Sequence, residues 1–468
     1  MQNLIRTVQE YLLVLIASGL IIFAPLFRSG KTSLALMTIE LLGIALLLII
    51  FWGNLAKGRL EKPVFWFLAI SLIGALAYLI PLPSVVWEQL PGRAFYAEHL
   101  NWLSNTTDSY HYQALSLIPT RTIAGLLALL APLGIFLTAI SLPTRKLTWL
   151  VLVLLLTAFG QALLSMGQYF IQDQDLFFRV WSGGIPLGTY INQNHFVAFM
   201  EMVEPLAIGL MMIVILSQTM GATLKIILAT IFGLISLALT FTPLLTSSRM
   251  GAALLILSIF LSFWAMTTPE IRKKVAAPIF ALRFVLLILA IVIQFKVLQQ
   301  IVTVTYADRL APQAALGDLR WTLYSTTWTA IQNFFPFGTG PGTTPQVYRL
   351  FQPHDVNAFV NHTHNDYLEL LLDMGIFGAL IIGALIFIYI RRWLQLWRDP
   401  GTGFKLLRTG AGVGILLALL YSLTDFGLHT PANAVFFALL FGIFLHNDPT
   451  AKNPSSIKPS AIENEQKQ

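Results

Sequence analysis

The chain has 468 residues, 56% of them hydrophobic and only 11% charged, with a net charge of +7 and a mean hydropathy of +0.73. Soluble domains carry about 25% charged residues, so this composition excludes a water-soluble fold of this size. The absence of cysteine excludes a disulfide framework and thiol chemistry. Basic loops beside membrane spans account for the positive charge better than nucleic-acid binding does.

Apolar runs long enough to cross about 30 Å of hydrocarbon as helix predict an all-α, polytopic integral membrane protein of about 12 spans. They fall at 9–27, 32–52, 63–82, 118–141, 147–166, 192–217, 222–243, 250–268, 278–297, 366–390, 408–427 and 431–446. The runs are solid, without the alternation of a transmembrane barrel. The first lacks a small-residue cleavage site and is followed at once by another span, so it reads as a retained helix, not a signal peptide. Lys57, Arg59 and Lys62, then Arg145 and Lys146, Arg272 to Lys274, and Arg391 to Arg408 all fall on one side. The positive-inside rule makes that side, and both termini, cytoplasmic. One polytopic membrane domain is expected over 1–447, followed by a polar, disordered tail over 448–468.

Three longer segments then lie on the non-cytoplasmic side, at about 83–117, 167–191 and 298–365, the last preceding the tenth span. The second holds Asp173 and Asp175, which read either as a divalent-metal pair or as solvated loop acids. Arg249, in Ser248-Arg-Met-Gly251, and Arg320, in Asp318-Leu-Arg-Trp321, stand at span or loop ends. A guanidinium fork suits bidentate binding of phosphate, and snorkelling to headgroups is the alternative. Arg28, Arg93, Arg309 and Arg349 read as snorkelling. Gly338, Gly340 and Gly342 read as a tight loop or a close approach to a ligand, without the Lys-Ser/Thr of a P-loop.

The densest motif is Asn361-His-Thr-His-Asn-Asp366, which leads into a membrane helix. Thr363 or Asn365 caps that helix, and Thr363-x-x-Asp366 resembles a capping box. His364 then stands beside a helix N-terminus, where a proton can be exchanged near neutral pH. His354, His362 and His364 lack a familiar zinc spacing. Asp425 and His429, four apart in the last outer hairpin, read as a structural pair or as support for catalysis.

Taken together these pieces resemble the O-antigen ligase family, which includes O-antigen polymerase-like members. The matching pieces are Asn192 to His195, Ser248 to Gly251, Arg320 ahead of Pro336-x-Gly-x-Gly340, His364 to Leu368 with Gly375 and Gly378, and Asp425-Phe through Asn433. The resemblance implies a metal-independent, inverting glycosyltransferase of the bacterial inner membrane, without cofactor, working at the periplasmic face. It would move a glycan from undecaprenyl diphosphate to a sugar hydroxyl of lipid A–core. By the same resemblance Arg249 and Arg320 are catalytic and bind the diphosphate, and His364 is catalytic. Asn365 and His362 are further candidate substrate-binding residues.

Elementary chemistry agrees. A diphosphate leaving group needs cationic stabilisation, and an attacking hydroxyl needs a base. A polymerase extending O-antigen or exopolysaccharide on the same carrier is the nearest rival. A transporter or flippase of lipid-linked sugars is disfavoured, because it predicts charges buried mid-span and inverted repeats.

Overall fold

The computed structural model describes residues 2–104, 111–171, 186–246, 248–266, 307–354, 356, 359–399 and 403–447. The main helices are α1 (Gln2–Phe23), α2 (Ser33–Trp52), α3 (Lys62–Ala77), α4 (Pro119–Ala128) and α5 (Leu130–Ser141), which continues it. Next come α6 (Thr144–Ile171), α7 (Gln193–Leu216), α8 (Ala222–Leu245), α9 (Arg249–Met266) and α10 (Ala307–Phe334). Then follow α11 (Asp366–Arg398), α12 (Gly403–Tyr421) and α13 (Pro431–Leu445). Among the described residues, 8 helices are long and apolar enough to cross a membrane, with α4 and α5 counted as one; α3, most of α9 and α13 are shorter apolar helices. The sequence-based span at 278–297, the Asp173–Asp175 pair and the tail lie outside the described residues.

Helix α7 forms the middle of the bundle and is buried on nearly all sides by α6, α8, α9, α12 and α13. In a membrane, helices associate through close packing instead of water exclusion. Here α12 supplies the means with Gly410 and Gly414. An added Cβ on them would meet the carbonyl oxygens of Pro205 and Met202 on α7 at 2.7 and 2.1 Å.

Charged groups gather at the two ends. At one end Lys146 pairs with Glu10 at 3.0 Å, Arg391 with Glu61 at 2.5 Å, and Arg408 with Asp399 at 2.9 Å. The opposite end carries the loops. There β1 (Pro81–Pro83) pairs antiparallel with β2 (Tyr112–Ala114), the one sheet among the described residues. Arg93 does not snorkel. It is fully buried, donates to the Leu115 carbonyl at 2.7 Å and the Gly338 carbonyl at 3.2 Å, and lies over the Trp87 and Phe334 rings. Arg349 covers the Phe359 ring at 4.1 Å and Arg28 is exposed; the Arg309 side chain lies outside the described residues.

Two predicted features take other forms. The segment at 298–365 contains the 28-residue helix α10. The glycine run after it approaches α11, not a ligand. Gly375 interrupts α11 with φ 54 and ψ −132, a conformation reserved for glycine. The interruption frees backbone groups, and the loop takes them. Thr339 and Gly340 donate to the Asp373 carbonyl, Ile376 donates to the Pro336 carbonyl, and Gly342 donates to the Asp373 side chain at 2.6 Å.

A methyl group at Gly375 would meet the Pro336 oxygen at 2.0 Å, whereas one at Gly383 meets nothing. Gly375→Ala is therefore expected to destabilise the fold by at least about 1–3 kcal/mol, read as a lower melting temperature in detergent. Gly383→Ala should leave it unchanged or slightly higher.

Candidate active site

The polar end of the bundle is organised around one carboxylate. Helix α12 stops at Tyr421, earlier than its apolar run suggested, so Asp425 stands in the loop before α13 and is fully buried. Its own side chain caps the turn by accepting from Phe426 N at 2.8 Å. The first turn of α7, started by the Asn192 side chain accepting from Asn194 N, aims two groups at it. The Asn194 amide donates to Asp425 Oδ2, and His195 Nε2 lies 3.6 Å from Oδ1. The third is His364, whose Nδ1 lies 3.3 Å from the same Oδ1. Burial pushes the Asp425 carboxyl up, but the two histidines outweigh it and hold the group well below the usual carboxylate range. It stays ionised at neutral pH.

His364 has φ 53, a conformation that costs a non-glycine residue energy and needs outside support. The Tyr324 hydroxyl provides it, donating to the His364 carbonyl at 3.0 Å. The imidazole itself is 34% exposed, so one ring nitrogen meets Asp425 while the rest of the ring is reachable from outside. Phe426 is the shared wall. His364 and His195 meet its ring edge-on at 4.9 and 4.6 Å, and His362 stacks on it at 4.1 Å.

Arg320 lies one turn before Tyr324 on α10 and is half-buried. Burial raises the Tyr324 phenol pKa and the Arg320 charge opposes that rise. Tyr421 shares a hydrogen bond with Ser248 at 3.0 Å, and Ser248 donates to the Asn194 side chain at 3.1 Å. Arg249 follows Ser248 directly and opens α9; its side chain lies outside the described residues. The backbone of Arg249, the side chain of Arg320 and the ring of His364 thus belong to one end of the molecule.

Other expectations change. Asn365 alone caps α11, accepting from Tyr367 N and Leu368 N at 3.0 Å, while its amide donates to the Leu423 carbonyl. Thr363 bonds the Asn365 carbonyl instead of forming a capping box. Asp425 and His429 do not pair. His429 Nδ1 meets Asp366 at 2.7 Å and its Nε2 meets Glu369 at 3.2 Å. Burial lowers the His429 pKa, but Glu369 and Asp366 outweigh it and push it up to about 10. His362 Nδ1 also meets Glu369, at 2.8 Å, so the side chains of Asn365 and His362 are engaged within the protein. His354 is exposed, and among the described residues neither it nor His364 belongs to a group with His362 close enough to share a cation. Helix α7 also departs from the plain apolar pattern. Glu201 and Glu204 are buried in it, with Ser236 and Ser258 donating to Glu204 at 2.8 and 2.9 Å.

Sequence reasoning passed over Lys31. Its ammonium lies 5.3 Å from the Phe426 ring centre; burial lowers its pKa and the Asp425 charge opposes that. The available signal was a lysine in the short hairpin at 28–31, on the side that the charge rule leaves poorer in basic residues.

Residues 234–383 match the family model described as O-antigen ligase. No curated protein matches this chain. The matched stretch runs from α8 into α11 and contains Arg249, Arg320, His362, His364 and Asn365. Asp425 and His195 come to it from outside that stretch.

Because the folded Asp425 pKa is depressed, its contribution to stability is complete above the unfolded value of about 3.9 and is lost as pH falls through the lower folded value. Asp425→Ala strands two histidines and an amide and should cost about 3–5 kcal/mol at neutral pH. Melting curves from pH 3 to 7 check both points, and Asp425→Asn should show a shallower acid slope than wild type.

Proposed function

We propose that the protein is a metal-independent glycan transferase that moves a glycan from undecaprenyl diphosphate to a sugar hydroxyl of lipid A–core. The observation that carries this reading is His364, an exposed imidazole braced on a buried carboxylate at the end of the bundle where Arg320 and Arg249 also stand. The basic end of the bundle, with Arg391, Arg392 and Arg408, is the cytoplasmic end of a multi-pass inner-membrane protein. The site end then faces the periplasm.

In the transfer, the Nδ1 of His364 faces Asp425, which leaves Nε2 as the nitrogen that takes the proton from the acceptor hydroxyl. A carboxylate held in this way fixes the ring's tautomer and stabilises the imidazolium that forms. The acceptor oxygen bonds the anomeric carbon as the carbon–oxygen bond to the diphosphate breaks. The leaving oxygens gain negative charge, and Arg249 and Arg320 stabilise it. A single in-line displacement inverts the anomeric centre. The surrounding spans accommodate the polyprenyl tail, and α10 with the loop after it limits access of water to the sugars.

Reconstitution in proteoliposomes with a lipid-linked glycan tests the reading. His364→Ala should lose about 10²–10⁴-fold in transfer rate while remaining folded, read as a single symmetric peak in gel filtration, with a lower melting temperature because Asp425 loses a partner. Arg249→Lys and Arg320→Lys should both fall, because an ammonium cannot make the bidentate contact. Wild-type turnover by His364→Ala overturns the base assignment. Chain growth on the carrier in place of transfer to lipid A–core selects a polymerase.

A further inference from the structure

Beside the His362 ring, which stacks on Phe426, lies a second polar cluster that the transfer does not use. His362 Nδ1 is 2.8 Å from Glu369 Oε1, and His429 Nε2 is 3.2 Å from the same oxygen. One ligand atom from each of the three residues lies within 4.8 Å of the other two. Zinc bonds of about 2.0–2.1 Å set tetrahedral ligand atoms about 3.3 Å apart, so the three already stand near the spacing that one cation would impose. Each comes from a different piece of backbone: the strand-like segment before α11, the first turn of α11, and the turn before α13.

Two further observations fit a cation. The second nitrogen of His429 meets Asp366 Oδ1 at 2.7 Å, the outer carboxylate that metal-bound histidines commonly use to fix their tautomer. The acidic side chains here are also short of Lys or Arg partners. Asp366, Glu369 and Asp373 recur along one face of α11, and among the described residues no Lys or Arg pairs with any of them. Asp373 is satisfied by the loop, through Gly342 N and by Thr344 N and Oγ1 at 3.1 and 2.7 Å. Glu369 is 2% exposed, and its partners are the two histidines and Thr363 N. On the open side, the His362 and His429 side chains are 22% and 37% exposed, which leaves room for water as a fourth ligand.

We infer that His362 Nδ1, Glu369 Oε1 and His429 Nε2 form a binding site for a divalent cation of the zinc class, with Asp366 orienting His429. Two imidazoles and one carboxylate suit zinc better than calcium or magnesium, which take oxygen ligands. The cation is structural. It ties the segment carrying His364 to the loop carrying Asp425 and touches no atom of the proposed transfer, whose chemical step stays free of metal.

The test uses the full chain in detergent, stripped with chelator and then exposed to Zn²⁺ alone. Bound metal is measured by mass spectrometry after gel filtration, and stability by thermal melting. Wild type should retain about one zinc per chain and melt at higher temperature with zinc than without. Glu369→Gln and His429→Ala should lose both effects, and Asp366→Asn should weaken zinc binding about tenfold. Co²⁺ in place of zinc should give the visible absorption of a low-symmetry nitrogen–oxygen site. Stripped wild type that takes up no zinc, or gains no stability from it, shows a cluster neutralised by protons alone and overturns the inference. So does zinc uptake by Glu369→Gln equal to that of wild type. The wild-type comparison stands even where a variant fails to fold, and it is independent of transfer activity.

Discussion

The buried Asp425 carboxylate is the constraint on which the rest of this end of the molecule depends. Removing a carboxylate from water costs several kcal/mol even after relaxation, and here burial is complete. The cost is offset only because donors converge from distant parts of the chain: Asn194 and His195 from the start of α7, His364 from the segment before α11, and Phe426 N from its own turn. Losing any one leaves a buried charge short of a partner. The same convergence gives His364 a fixed orientation, a braced Nδ1 and an open outer edge.

That convergence needs the helices to be rigidly set, and two packing devices achieve this. Helices α7 and α12 touch backbone to backbone at Gly410 and Gly414, which fixes the start of α7 relative to the loop after α12. Helix α11 is interrupted at Gly375, and the loop after α10 fills the interruption with hydrogen bonds. The second device holds α10, and with it Arg320 and Tyr324, against the helix that His364 precedes. A small backbone feature two turns inside α11 therefore bears on the position of Arg320, 55 residues away in sequence, relative to His364.

Much of this was legible in the sequence, for reasons that can be stated residue by residue. Solid apolar runs have one reading in a membrane, so the apolar helices among the described residues were found, including most of their ends, while the polar helix α10 was read as loop. Arg249, Arg320 and His364 stood out because polar residues beside such runs need a reason to be there. What escaped was partner choice. Asp425 and His429 are four residues apart, a helical spacing, but the chain leaves the helix at Tyr421, and the two side chains turn to different partners. Arg93 looked like a surface arginine because nothing local shows that the Leu115 and Gly338 carbonyls will meet it. Lys31 was a lone lysine in a short turn. Such pairings are set by tertiary contact and leave no periodic trace.

The family match covers α8 to the middle of α11, yet the carboxylate that braces His364 lies beyond it. The central claim is that the diphosphate of the donor is held at this end, against Arg320 and Arg249 and beside His364. A structure determined with an undecaprenyl-diphosphate-linked glycan bound tests it most directly. The account predicts both guanidinium groups on the diphosphate oxygens and the anomeric carbon facing the open edge of the His364 ring. A diphosphate seated at the opposite, Arg391 end, or away from the Asp425–His364 pair, would contradict it.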